Sequence, residues 1–226
     1  MSTNDSTKVN LQPAAENTHN DQVIKLKFEK ASQYALNRLQ TELPANLFYH
    51  RLGHTRDDVV PSARILAGME GISGDLFYLL LTAAWFHDLG FIEHPDKHEL
   101  TSARIASQVL PKFGYSARHV KIVKETVYAT ILPQSPKTHL EMILADADLN
   151  VLGREDFMQR SSDLRCERAH FGNVFTEVEW YTSQLKFLEN HSFFTKSANA
   201  LYNPQKRINI TALKNTIKEA ASKEEN

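Results

Sequence analysis

The sequence predicts an all-α protein. Three observations carry that prediction. Apolar residues recur at three- and four-residue spacing from Ile24 onward, which puts them on one stripe of a helix. No two alternating apolar–polar runs are joined by a turn, as a sheet would require. Proline and glycine, eight of each in 226 residues, mostly fall between the periodic segments and punctuate them.

The elements follow in order. Residues 1–20 are rich in Ser, Thr, Asn and Asp, with almost no apolar periodicity. They are expected to form a disordered arm. Ile24, Phe28, Ala31, Ala35 and Leu39 mark the first helix, and Pro44 ends it. A second helical stretch runs from about His54 to Met69, with Val59, Val60, Ala63, Leu66 and Ala67 facing inward. Pro61 should kink or split it, and Gly68, Gly71 and Gly74 punctuate its end. The third helix is the apolar run from Asp75 to about Leu89, with Gly90 as its stop. Helices are further expected from Glu99 to about Leu110, Ser116 to about Thr130, and Leu140 to Leu152. Three more cover about 155–170, 175–190 and 193–202. The folded part is expected to be one domain over 21–215, followed by a charged end at 216–226.

Composition narrows the function classes. The 26 basic and 27 acidic residues leave a formal net charge of -1. No electrostatic excess draws the chain to a nucleic-acid polymer or an anionic membrane, and neither is expected as a partner. The single cysteine, Cys166, excludes an internal disulfide and argues against a Cys-based zinc site. It points to a reducing, cytoplasmic compartment. The longest near-apolar run, Leu76 to Phe86, falls well short of the roughly 20 residues of a membrane helix, so it reads as a buried core helix. The N-terminus lacks the basic start and apolar centre of a secretion signal. No Gly-x-x-x-x-Gly-Lys phosphate loop and no His-Glu-x-x-His zinc motif is present.

Five of the ten histidines fall between positions 50 and 98. In Trp85-Phe86-His87-Asp88-Leu89-Gly90, two ligand-type residues end a very hydrophobic helix. An unpaired buried charge is costly. A metal ion would explain why the carboxylate is tolerated there; the alternative is a helix-end cap or a satisfied core histidine. His54 precedes this pair and Asp148 follows it, so the chain offers two imidazoles and two carboxylates. That mixture suits a divalent ion such as Mn²⁺, Fe²⁺, Co²⁺, Ni²⁺ or Mg²⁺, with positions open for water and substrate.

The ordered set His54, His87-Asp88, Asp148 resembles the HD superfamily of metal-dependent phosphohydrolases. The contexts Tyr49-His50 before His54-Thr55, Ala83 to Gly90, and Asp146-Ala147-Asp148-Leu149 agree with it. The resemblance covers roughly residues 30–170. It implies an HD-domain-like helical bundle with one divalent metal ion held by His54, His87, Asp88 and Asp148. Asp88 would also lie near the attacking water. The implied reaction is hydrolysis of a phosphomonoester or phosphodiester small molecule, a nucleotide first of all. Asp148-Leu149 looks more like the family's last motif than Asp146 does. Asp146 would then be an alternative ligand, a partner orienting a histidine, or a solvated helix residue.

Tyr49-His50 followed by His54 is also similar to the motif of cyclic nucleotide phosphodiesterases, where the first histidine protonates the leaving oxygen. The i, i+4 spacing puts His50 and His54 on one face if the stretch is helical; otherwise His50 is a packing or surface histidine. Arg51, Lys97 and His98 are candidates for binding the substrate phosphate. His98 also sits where dinuclear members of the family place an additional ligand. The matching second position carries Thr130, a poor ligand, so a single metal is expected. Arg154, Arg160, Arg165 and Arg168 alternate with Glu155, Asp156, Asp163 and Glu167 and read as a salt-bridged, solvated face. A non-catalytic nucleotide-binding or signalling module on the same scaffold is the main alternative. Dinuclear iron oxygen chemistry is a third reading. Trp180, Phe187 and Phe193 would complete the core or form a homodimer face.

Overall fold

The computed structural model describes residues 14–224. Among the described residues all regular structure is helical and no strand occurs. The fold is an all-α bundle. Its centre is α3 (Gly74–Phe86), whose Leu79, Leu80, Leu81, Ala83, Ala84 and Phe86 are all buried. A helix that is apolar on every side has to be surrounded. It is packed by α1 (Ala14–Glu42), α2 (Val60–Met69), α5 (Ala117–Tyr128) and α6 (His139–Asp148). Gly74–Ile92 has the length and hydropathy of a membrane span by composition alone, but 67% of it is buried inside the bundle.

Ile24, Ala31, Ala35 and Leu39 form the buried stripe of α1, as their spacing predicts. The helix begins at Ala14, within the stretch read as a disordered arm; residues 1–13 of that stretch lie outside the described ones. The second helical stretch is split at Pro61. A π-helical segment, His54–Val59, precedes α2, and Pro61 sits in the first turn of α2. Proline has no N–H to give to a preceding carbonyl, so the α ladder cannot run unbroken through this point. α2 is followed, after Glu70, by Gly71 with φ 70°, and the Ile72 N–H donates to Ala67 O at 2.8 Å. That is a left-handed helix stop which glycine adopts without strain.

Three more helices complete the second half: α4 (His98–Val109), α7 (Phe157–His170) and α8 (Glu177–Asn190). α8 opens with a reciprocal capping box between Thr176 and Glu179. Next comes α9, Lys196–Glu224, which carries Pro204 in its interior. The sequence predicts an end near 202, and the helix continues to Glu224, into the expected charged end. Packing overrides the proline. α9 lies along α8 and along the 3₁₀ turn Asn150–Gly153. Ala198, Lys206, Asn209 and Leu213 are buried. Asn209 donates to Leu152 O at 3.0 Å and Arg154 O at 2.9 Å. A side chain at Gly153 would come within 2.4 Å of Tyr202. These contacts offset the roughly 3 kcal/mol that an interior proline costs. Trp180 and Phe193 are buried and Phe187 is partly buried against the core, so the C-terminal helices add to the core.

Asp146 fixes the start of α9. It is fully buried. Its carboxylate accepts the Phe194 N–H at 2.8 Å, the Thr195 N–H at 2.8 Å and the Thr195 hydroxyl at 2.7 Å. Burial pushes this carboxyl up, and the three donors only partly pull it back. The expectation that Asp146 is a ligand or orients a histidine is therefore corrected: its donors all belong to the turn before α9. Asp146→Ala strands those donors and should cost about 2–4 kcal/mol in urea denaturation. Metal content per folded chain should not change, and a variant that lost metal while still folded would return Asp146 to the ligand question.

Candidate metal centre

The site is assembled where three elements end or begin. α3 stops at Phe86, with His87 as its C-cap. Asp88 has φ −104° and ψ 6°, a sparsely populated bridge conformation that turns the chain into a 3₁₀ segment, Leu89–Ile92. His54 opens the π-helical segment and Asp148 is the last residue of α6. Helix ends let neighbouring residues aim at one point, which a continuous helix with about 100° between side chains does not allow.

The donor atoms converge there. His54 Nε2 lies 3.3 Å from Asp148 Oδ1 and 3.4 Å from Asp88 Oδ2. His87 Nε2 lies 3.2 Å from Asp88 Oδ2 and 3.4 Å from Asp148 Oδ1. Each imidazole nitrogen thus faces both carboxylates. The ring of His87 is locked by its Nδ1–H, which donates to Ala84 O at 2.8 Å and leaves Nε2 as the nitrogen that faces the carboxylates. His54, His87 and Asp148 form a buried group that could hold a metal ion.

These residues fit a divalent cation on two counts. His87 Nε2 and Asp88 Oδ2 are buried without a hydrogen-bond partner, and native structures rarely leave such atoms orphaned unless an ion or water completes them. The spacing also agrees. First-row metals bind N and O at about 2.0–2.2 Å, so neighbouring ligand atoms around one ion lie roughly 3.0–3.5 Å apart.

The electrostatics favour ionised carboxylates. Burial raises the Asp88 carboxyl, but His87 and then His98 hold it well below the usual range. Asp148 is likewise opposed by burial, and the neighbouring His54 and His87 imidazoles lower it to about 2. Burial lowers His87, but Asp88 and Asp148 outweigh it and hold the imidazole well above its usual value.

A second ring of residues borders this group. His98 opens α4, with Nε2 3.4 Å from Asp88 Oδ1 and 3.4 Å from Glu99 Oε1. Its ring stacks on Phe91 at 4.0 Å between centroids, and its Nδ1 meets Pro95 O at 3.0 Å. Gly90 makes this placement possible. Its N–H donates to Ser102 Oγ at 2.7 Å, and a Cβ there would lie 2.0 Å from His98 O. The obstacle is backbone, so no rotamer relieves it. Gly90→Ala should cost about 1–3 kcal/mol or more and shift His98. A melting curve and the His98 imidazole resonances would check this; unchanged values for both would show that the contact is soft.

His50 is not helical. Residues 48–51 form a bend, so the face-sharing expected from i, i+4 spacing does not arise. The His50 and His54 rings are nonetheless 5.7 Å apart, because Glu167 on α7 draws the bend in. One oxygen of Glu167 accepts the N–H groups of Tyr49 and His50 at 2.8 and 3.0 Å, and the other pairs with His50 Nδ1. The same bend corrects the expectation for Arg51. It is exposed, its charge acts on Asp57, and it does not line the cleft. Lys97, held at φ 53° before α4, does line it. Thr130 is buried on the cleft wall, and its hydroxyl donates to Val127 O at 2.9 Å.

The expected solvated face on α7 is also corrected. Arg160 and Glu167 are buried. Arg160 Nη2 lies 3.0 Å from Asp58 Oδ2, and the guanidinium sits 4.8 Å from the centre of the Tyr49 ring. Tyr49 in turn packs on the His54 ring at 5.0 Å. Arg160, Asp58, Tyr49 and Glu167 thus brace both histidines from behind. Asp88, Asp148, His50 and His98 line a cleft of about 670 Å³. Comparison of the chain with family models, with curated proteins and with solved structures gives no match.

Proposed function

We propose that this chain is a metal-dependent phosphohydrolase of the HD type. One divalent ion (Mn, Fe, Co, Ni or Mg) would be held by His54, His87, Asp88 and Asp148. The substrate would be a phosphomonoester or phosphodiester, with a nucleotide as the class the sequence resemblance implies. The observation that most supports this is the orphaned pair, His87 Nε2 and Asp88 Oδ2, inside a buried mixed N/O donor set.

A bound divalent ion supplies charge to a phosphate oxygen and makes a water acidic enough to attack near neutral pH. The chain's own residues supply the rest. Asp88 would orient the attacking water, with His98 beside its Oδ1, and the proton that this water loses would go to solvent in the cleft. As the water oxygen bonds to phosphorus, the ester P–O bond breaks. With Nδ1 tied to Glu167, His50 has Nε2 left to give a proton to the departing oxygen. Lys97 at the rim, together with His98, binds the remaining phosphate oxygens.

The test is elemental analysis of the purified protein, followed by a phosphate-release screen with the metal found. About one equivalent per chain, with turnover, is the expected result. Two equivalents with iron prominent would replace this reading with dinuclear chemistry that uses His98 as a ligand. No metal after reconstitution would replace it with a binding module.

A further inference from the structure

The lining of the cleft includes many residues besides the His/Asp group. Its apolar floor consists of Leu149, Val151, Leu152, Phe157, Leu164 and Phe187. Leu149, Leu164 and Phe187 are only partly buried, so they present apolar surface that an occupant would take out of water. Glu167 and Arg168 on α7, with Ser161, Asn173 and Gln184, line the cleft beside them. Ser161 is already engaged, accepting the Trp180 indole N–H at 2.9 Å. Asn173 and Gln184 are the side-chain amides on the wall. A volume of about 670 Å³ is ample for a drug-sized ligand.

Charge narrows the class further. The lining carries the carboxylates of Asp88, Asp96, Glu99, Asp148 and Glu167, against the cations Lys97 and Arg168. Adding one divalent ion to these carboxylates and cations leaves no cationic excess. A di- or triphosphate brings several more negative charges into this field. A single phosphate can meet the ion and Lys97 and leave the rest of the ligand uncharged.

We infer that the ligand of this cleft is the ester of one phosphate with an apolar alcohol, alkyl or aryl. Its phosphate sits at the His/Asp group and its body lies over Leu149, Val151, Leu152, Leu164 and Phe187. The identity of the head group rests on the hydrolase reading; the apolar body rests on the floor. Nucleoside polyphosphates are poor ligands on both counts.

The experiment uses the full, metal-loaded chain and n-alkyl phosphonates from ethyl to octyl, which cannot be hydrolysed. Binding is read by calorimetry, beside AMP and ATP. Each added methylene should tighten binding about fourfold until the floor is covered. Octyl phosphonate should bind at least tenfold tighter than ATP. Leu164→Asn should flatten the chain-length dependence while ethyl phosphonate binds as before. The wild-type series decides the matter even if that variant fails to fold. Equal affinity across the series, or ATP binding tighter than octyl phosphonate, overturns the inference. Phosphate release from octyl phosphate is followed separately. A chain-length dependence without turnover keeps the ligand class and sinks the hydrolase reading. Nucleotide turnover without that dependence does the reverse.

Discussion

Alanine at His87 should remove the metal and the hydrolytic activity together. The ring is fully buried, and its Nε2 faces both Asp88 and Asp148. Its Nδ1 is committed to Ala84 O, so Nε2 is the nitrogen it can offer an ion. Losing a nitrogen ligand leaves two carboxylates and one imidazole. Loss of the bound ion removes several kcal/mol of transition-state stabilisation, so the rate should fall by about 10³-fold or more. Asp148→Asn is the companion variant, because it keeps the shape and removes the charge. Circular dichroism should show both variants still helical. A bound ion raises the melting temperature by mass action. A chelator should therefore lower it in the wild type and leave it unmoved in either variant. Full metal content in folded His87→Ala would remove His87 from the ligand set.

How much of this was readable from residues alone differs by layer. The buried stripe of α1, the break at Pro61 and the central place of α3 follow from spacing, from a missing N–H and from an apolar run too dense for a surface helix. The four converging donors were legible as types in order. That they meet in space depends on helix ends, and periodicity does not fix those. Arg51 shows the failure: its predicted face presumed a helix where Glu167 holds a bend. α9 shows another, since only its partners in the fold reveal why it survives Pro204. The brace on α7 did leave a signal. Phe157, Arg160, Leu164 and Glu167 are spaced three, four and three apart. This is the inward stripe of a helix, and it carries Arg160 and Glu167 to the same side as Phe157. Their charge suggested solvent, while their phase pointed to the core.

On the proposed hydrolase reading Glu167 is a positioning residue, and its replacement should separate positioning from folding. Its carboxylate serves two backbone donors and the His50 imidazole at once. Glu167→Ala leaves the buried Tyr49 N–H without a partner and should cost about 2–4 kcal/mol. Glu167→Gln keeps an oxygen for the backbone donors, so folding should suffer less. It still loses the charge-assisted bond that orients His50, and proton donation to the leaving group should weaken by about 10²–10³-fold. The loss should fall on kcat, with KM within about threefold, because the phosphate-binding groups are untouched. A purely structural role would instead lower the amount of folded enzyme and leave kcat per folded molecule unchanged. The pH dependence supplies a second readout. Burial acts to raise this carboxyl, but His50 and the backbone donors hold it below its ordinary 4.5. A depressed carboxyl contributes stability that is complete above the unfolded value and fades as pH falls through the folded one. The stability gap between wild type and Glu167→Gln should therefore be full at neutral pH and shrink on acidification below 4.5. A gap that stayed constant into acid would show that the charge on Glu167 contributes nothing, and that His50 is held by shape alone.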